Sequence, residues 1–172
     1  MNKIQIIVNN GAGTGSAVAV WKETKEYLQE NGISYNAYLT RYEKHAVKLA
    51  GQICGKIPEG PIYLLVVGGD GTINEVLNGI TDFDRVRLGV IPTGSGNDFA
   101  RNLGILRDTR EDLREITACI DQEQNGEKLQ RIDLGKVSWE GCEKPRIFGI
   151  SAGAGLDAIV CKKALHLSLI HI

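Results

Sequence analysis

No basic block, no CxxC pair and no apolar run of transmembrane length occurs in the 172 residues. Lys, Arg, Asp and Glu are interspersed and sum to a net charge of −1, so nothing tracks a phosphate backbone and nucleic acid is not an expected partner. Cys54, Cys119, Cys142 and Cys161 lie near no histidine cluster. Cys54 and Cys119 fall on apolar faces of predicted helices, where a thiol packs, which suits a reduced, cytosolic protein. Met1-Asn2-Lys3 runs straight into a strand and does not read as a signal peptide. A chain of this size buries roughly 68–70 % of its unfolded surface, enough for a core without metals or disulfides.

Glycine is what the chain has in excess: 21 of 172 residues, about 12 % where ~7 % is usual. Ten of them sit in four clusters, at 11/13/15, 68/69/71, 94/96 and 153/155, each following an apolar run. That is the layout of a ligand crevice lined by loops at the carboxyl ends of parallel strands. The second cluster is the most informative. Ile62 to Val67 (IYLLVV) is apolar without alternation, the pattern of a strand buried on both faces. Gly68-Gly69-Asp70-Gly71-Thr72 follows, and Thr72 with Glu75 has the spacing of a capping box for a helix from Ile73. A strand, a glycine turn and a helix N-terminus aim amides at an anion, for which nucleotide phosphate is the natural candidate. Asp-Gly is also a common turn, and the Thr72–Glu75 pair also fits a plain helix cap.

The remaining elements alternate. Strands are expected at Ile4–Val8, 33–39, 62–67 and Leu88–Ile91, and helices at 17–31 (stopped by Gly32), around 46–53, at 73–79, up to Leu103 after a cap at Asn97 or Asp98, and at 109–121. Thr40 and Glu43 repeat the capping-box spacing. The result is an α/β fold, an open, mostly parallel sheet flanked by helices, spanning 1–125. From 126 the pattern changes: residues 130–137 alternate polar and apolar, and Arg146 to Ser151 supplies a partner strand. Residues 126–172 therefore read as the start of an incomplete β-rich second domain.

Three motifs in order carry a family resemblance: Ile7-Val8-Asn9 before the first glycine loop, Gly68-Gly69-Asp70-Gly71-Thr72-Ile73-Asn74-Glu75, and Pro92-Thr93-Gly94-Ser95-Gly96-Asn97-Asp98-Phe99-Ala100-Arg101. The chain resembles the diacylglycerol kinase catalytic-domain family, in particular its soluble bacterial lipid kinases, which are related to NAD kinases and phosphofructokinases. Ile132-Asp133-Leu134-Gly135 and Gly153-Ala154-Gly155-Leu156-Asp157-Ala158 resemble that family's entry into its second domain. The first loop departs from the pattern, with Asn10 where the family usually places proline, which predicts a looser loop.

The resemblance implies ATP and Mg²⁺ as cofactors, with nucleotide contacts on Asn9, Thr40, Gly68, Gly69, Asp70, Gly71, Thr72, Ile73, Asn74 and Ser95. Thr40 and Ser95 are hydroxyls at strand ends and equally suit helix capping. Asp70 is the catalytic candidate; a bare carboxylate would repel phosphate, so it works through Mg²⁺ or holds a hydroxyl. Asp98 is a second acidic candidate or a helix cap. His45 reads as structural, Trp21 and Phe99 as core, and His166 and His171 carry no catalytic assignment. The implied reaction is ATP-dependent phosphorylation of a diacylglycerol-like lipid by a cytoplasmic protein, peripheral to the inner membrane face, with a homodimer left open. Where the family's second domain has well over a hundred residues, this chain has about forty and an apolar tail at 165–172. It is accordingly expected to be a fragment, inactive alone because the base and lipid pocket lie beyond it. The competing readings are a non-catalytic nucleotide-binding module and a kinase of another acceptor, NAD-kinase-like.

Overall fold

A computed structural model describes residues 3–9, 11, 16–105, 108–155 and 158–159. Asn10, the glycines at 13 and 15, Leu156-Asp157, Cys161 and the 165–172 tail with its two histidines lie outside the described residues. Four strands, β1 (Ile4–Val8), β2 (Tyr35–Leu39), β3 (Ile62–Gly68) and β4 (Val86–Pro92), form a wholly parallel sheet in the order β2-β1-β3-β4.

The doubly apolar reading of β3 holds because its two faces meet different helix layers. Ile62, Leu64 and Val66 join Ala46, Leu49, Ile53, Ile73 and Val76 in one core. Tyr63, Leu65 and Val67 join Trp21, Leu28, Leu113 and Ile120 in the other. Helices α1 (Ser16–Glu30) and α5 (Thr109–Gln124) thus cover one face, α2 (His45–Lys56) and α3 (Asp70–Gly79) the opposite one. In α1 the buried residues Ala17, Trp21, Thr24 and Leu28 repeat every three to four positions, the stripe of an amphipathic helix. Gly32 ends it in the left-handed region (φ 63°), with Ile33 N–H returning to Leu28 O at 2.8 Å, a Schellman closure. Phe99 of the short α4 (Asp98–Asn102) is core, as its spacing suggests.

Two capping boxes expected from spacing do not form. Helix α3 starts three residues early, at Asp70, with Gly69 as its cap and no side chain serving it. Helix α2 starts at His45 behind Lys44, which is left-handed (φ 64°). Glu75 is diverted: its carboxylate accepts the N–H of Lys44 (3.0 Å) and of Ala46 (3.2 Å), capping the neighbouring helix instead of its own. His45 is structural, accepting the Arg41 N–H at 3.1 Å and stacking on Tyr42.

Beyond α5 the expected strand at 130–137 is realised only as β5 (Gly135–Val137), antiparallel to β6 (Arg146–Phe148). Ladder bonding needs a partner along its whole length, and β6 offers three residues.

Candidate functional site

The sheet order reverses between β1 and β3: β2 lies to one side of β1, and the chain crosses back to build β3 and β4 on the other. A crevice at the carboxyl ends of the strands is expected at such a reversal. Asn9 closes β1 there. Its N–H binds Val67 O (2.9 Å), its Nδ2 donates to Thr72 Oγ1 (2.9 Å), and its Oδ1 accepts from Thr40 Oγ1 (3.2 Å) and Gly11 N (3.0 Å). Three predicted residues from β1, β2 and α3 are thus joined side chain to side chain. The hydroxyls of Thr40 and Thr72 are tied into this network and are not helix caps.

The third and fourth strand ends are held still closer. Thr93 N–H donates to Gly68 O at 3.1 Å, continuing the ladder past the strands. A Cβ on Gly69 would stand 3.0 Å from Gly94 Cα, and one on Gly94 2.9 Å from Gly69 Cα. These glycines are there because two backbones touch. Neither Gly69 (φ −90°) nor Gly71 is left-handed. A Cβ on Gly68 would meet Thr72 Cβ at 2.8 Å, whereas one on Gly71 meets nothing within 4 Å. Gly71 is the exposed, unobstructed position of the turn.

Asp70 bridges the two loops. Its Oδ2 accepts Asp98 N–H and its Oδ1 accepts Phe99 N–H, both at 3.0 Å, so it caps α4 from the head of α3. Each oxygen keeps a further lone pair. Asp98 opens α4 and pairs with Arg101 at 3.0 Å; the cap position itself belongs to Asn97 (φ 52°). Asn97 clamps its own loop, with Oδ1 on Gly94 N–H (2.9 Å) and Nδ2 on Gly94 O (2.7 Å). Arg101 adds a bond to Gly96 O at 2.9 Å. Ser95 is exposed on this braced loop, and Ile73 is buried in the core beneath it. Thr93 Oγ1 is buried with no hydrogen-bond partner among the described residues, a donor left over for something else.

Two clefts flank the loops. One of about 420 Å³ is lined by Asp70, Gly71 and Asn74 of α3, Phe99 of α4, and Arg146 and Phe148 of β6. The other, about 580 Å³, opens at the end of β2 beside Tyr38, Thr40 and His45. Among the described residues no cluster of three or more acidic, histidine or cysteine side chains is built to hold a metal by itself. No helix of the described residues is long and apolar enough to cross a membrane.

Residues 3–137 match the diacylglycerol kinase catalytic domain. The chain belongs to that family. Over 166 residues it is 33 % identical to a Bacillus subtilis protein named "Putative lipid kinase YtlR", covering 95 % of this chain and 51 % of that one. A diacylglycerol kinase of the same organism is 41 % identical over 99 residues, 55 % of this chain and 30 % of its own length. A solved diacylglycerol kinase structure from Bacillus anthracis superposes with a TM-score of 0.56 at 28 % identity, over 67 % of this chain and 39 % of that one. The chain therefore spans about half the length, or less, of the relatives it matches.

Two residues of the site, Thr93 and Arg101, stood in the third motif with no role of their own: Arg101 reaches Gly96 O by loop closure, and the Thr93 hydroxyl is buried without a partner among the described residues. Asn97, one of the two cap candidates, does hold the cap position of α4, and Asn before a helix tolerates the left-handed backbone it takes there. Glu75, expected to cap its own helix, serves the neighbouring one.

Proposed function

We propose that this chain is the ATP-binding part of a lipid kinase, which transfers the γ-phosphate of ATP to a hydroxyl of a diacylglycerol-like lipid presented at a membrane surface. One observation supports this above the others. Asn9, Thr40, Thr72 and the Gly69–Gly94 contact converge at the switch point around a helix N-terminus that no side chain caps. The first-turn amides of α3 lack intrahelical partners by construction, and phosphate oxygens satisfy them. Gly71 leaves that approach open, and the spare Thr93 hydroxyl adds a donor. Asn74 lines the 420 Å³ cleft beside Asp70 and Gly71, and Ser95 is exposed on the loop that touches Gly69; their role would be to orient phosphate or ribose.

Phosphoryl transfer asks mainly for positioning and charge neutralisation. Asp70 is fixed by two backbone N–H groups and keeps free lone pairs toward the 420 Å³ cleft, so it either orients the acceptor hydroxyl or holds Mg²⁺ carried on the phosphates. One carboxylate together with nucleotide phosphates is the donor set magnesium ordinarily takes, and the ion would supply charge neutralisation there. We assign residues 1–125 to the nucleotide-binding domain and 126–172 to the beginning of a second, β-rich one, whose remainder would complete the acceptor pocket. A nucleotide-binding module without turnover is the rival reading.

Calorimetric titration with ATP decides the phosphate site. The Cβ of Gly71→Val would meet nothing within 4 Å among the described residues, so native circular dichroism with lost ATP binding is the expected outcome; parental affinity would move the phosphate elsewhere. Asp70→Asn is expected to weaken binding of ATP with Mg²⁺ far more than binding of ATP alone, and equal effects would remove the metal role. Phosphate transfer to diacylglycerol vesicles separates the kinase from the module: the chain alone is expected to bind ATP without turnover.

A further inference from the structure

Asn78, one residue before the end of α3, reaches across to the β5–β6 hairpin. Its Nδ2 donates to Ile147 O at 2.8 Å, and its Oδ1 accepts Ile147 N–H at 2.9 Å. A primary amide pairing both polar groups of one residue reproduces a rung of a β-ladder with a side chain. Arg146 and Phe148 pair with Val137 and Gly135 across the β5–β6 hairpin, so the groups of the intervening Ile147 point to the hairpin's open edge. Asn78 fills that edge. The remaining amide proton is not idle: Nδ2 also reaches Asn74 O at 2.8 Å and Asn74 Oδ1 at 3.3 Å, which fixes the side chain along the helix.

Packing gives the same join a second anchor. A Cβ on Gly149 would stand 2.6 Å from the Phe99 ring and 3.1 Å from Leu77 Cδ1, so the backbone leaving β6 lies directly on α3 and α4. Ile147 packs on the core that Ile73, Leu77 and Phe99 help to build. Helix α3 therefore carries the phosphate loop at its head and the hairpin at its tail, eight residues or about 12 Å apart at 1.5 Å per residue. The 420 Å³ cleft lies between the two, with Asp70 and Gly71 at one end and Arg146 and Phe148 of the hairpin at the other.

We propose that Asn78 is a positioning residue that docks the β5–β6 hairpin on the phosphate-loop helix and so sets how far the acceptor wall of the cleft stands from the transferred phosphate. The acceptor half of this statement rests on the nucleotide reading above; the docking half does not. Ordinary helix chemistry gives Asn78 no such role, because an asparagine next to a terminal glycine serves equally well as a plain stop signal.

Nitrogen-15 NMR with amide hydrogen exchange on the full chain tests it. In the parent, the Asn78 side-chain amide and the Ile147 N–H are expected to be protected. Asn78→Leu keeps roughly the volume and removes both bonds to Ile147 along with those to Asn74. Exchange at Ile147 is then expected to rise about fivefold or more, the worth of one neutral hydrogen bond, with shift changes confined to residues 135–150 and to α3 from Asn74 onward. Asn78→Asp keeps the acceptor for Ile147 N–H but sets a carboxylate against Ile147 O, and hairpin exchange should rise there too. A merely structural helix end would instead loosen α3 and the α2 amides together. Unchanged exchange at Ile147, or changes spread through β3 and α2, overturns the proposal. Titration of both proteins with MgATP, read at the Gly71 and Thr72 amides, is expected to give affinities within about twofold, since the first-turn donors lie at the opposite end of α3. A parent that fails to bind MgATP sinks the nucleotide reading and leaves the docking result standing. An Asn78→Leu chain that docks its hairpin normally sinks the docking and leaves ATP binding intact.

Discussion

The Gly69–Gly94 contact can be forced apart by one methyl group. On Gly94→Ala the new Cβ would stand 2.9 Å from Gly69 Cα and 3.0 Å from Asn97 Oδ1. Carbon atoms rest at about 3.5–4.0 Å, so one loop must move by roughly 0.6–1.1 Å. The two bonds from Asp70 to Asp98 N–H and Phe99 N–H start at 3.0 Å and would stretch to about 3.6 Å or more, beyond hydrogen-bond length. Overpacking of this kind costs about 1–3 kcal/mol. Losing the two bonds of a half-exposed carboxylate adds the lower end of their range, because water replaces part of what is lost. A total of roughly 2–4 kcal/mol corresponds to a Tm drop of roughly 4–16 °C at this chain length. The control is Gly71→Ala, whose Cβ meets nothing and whose helix position favours alanine by up to about 1 kcal/mol. Urea unfolding followed by circular dichroism, together with MgATP titration, reads both. Gly94→Ala is expected to lose stability and binding together, and Gly71→Ala to hold its stability. A Gly94→Ala chain with the parental urea midpoint and affinity would show that the two loops do not depend on their contact.

Two further outcomes follow from single side chains. Glu75→Ala uncaps α2 from outside that helix and is expected to cost about 1–2 kcal/mol in urea unfolding, with Glu75→Gln in between because its amide keeps one acceptor. A change below about 0.3 kcal/mol would mean that the bonds to Lys44 and Ala46 contribute nothing net. Burial, with the Glu123 carboxylate beside it, pushes the Tyr63 phenol above its ordinary value. The sign is that of a raised pKa: the contribution is fully present below the unfolded value near 10 and is lost as pH climbs through the folded one. Unfolding midpoints at about pH 8 and 10.5 should therefore fall less steeply in Tyr63→Phe than in the parent, and parallel slopes would rule the contribution out.

What the sequence made legible was whatever depends on local order. The IYLLVV run, the α1 stripe and the Gly32 stop are short-range patterns, and each formed where its periodicity placed it. Of the glycine clusters, those at 68/69/71 and 94/96 meet each other beyond the ends of β3 and β4. What failed to show was partner choice. Thr72 and Glu75 have capping-box spacing, yet Asn9 takes the threonine and the Lys44 and Ala46 amides take the glutamate. Both partners come from segments at least 29 residues away, and no spacing rule sees them. Gly69 owes nothing to a left-handed backbone; what fixes it is Gly94, on a segment 25 residues further on, which no local pattern shows.

The strand order has a consequence for synthesis. Strand β1 is buried along its whole length and sits between β2 and β3, so its second edge stays open until residue 68 has been made. Sixty residues separate Val8 from Gly68, and at 5–20 residues per second the ribosome needs roughly 3–12 s to add them. For that interval an IQIIV segment, uncharged and rich in β-branched residues, waits unpaired on one side. The nascent chain is then most exposed to wrong pairing at its first strand, and a holding chaperone would be expected to engage there before any other point.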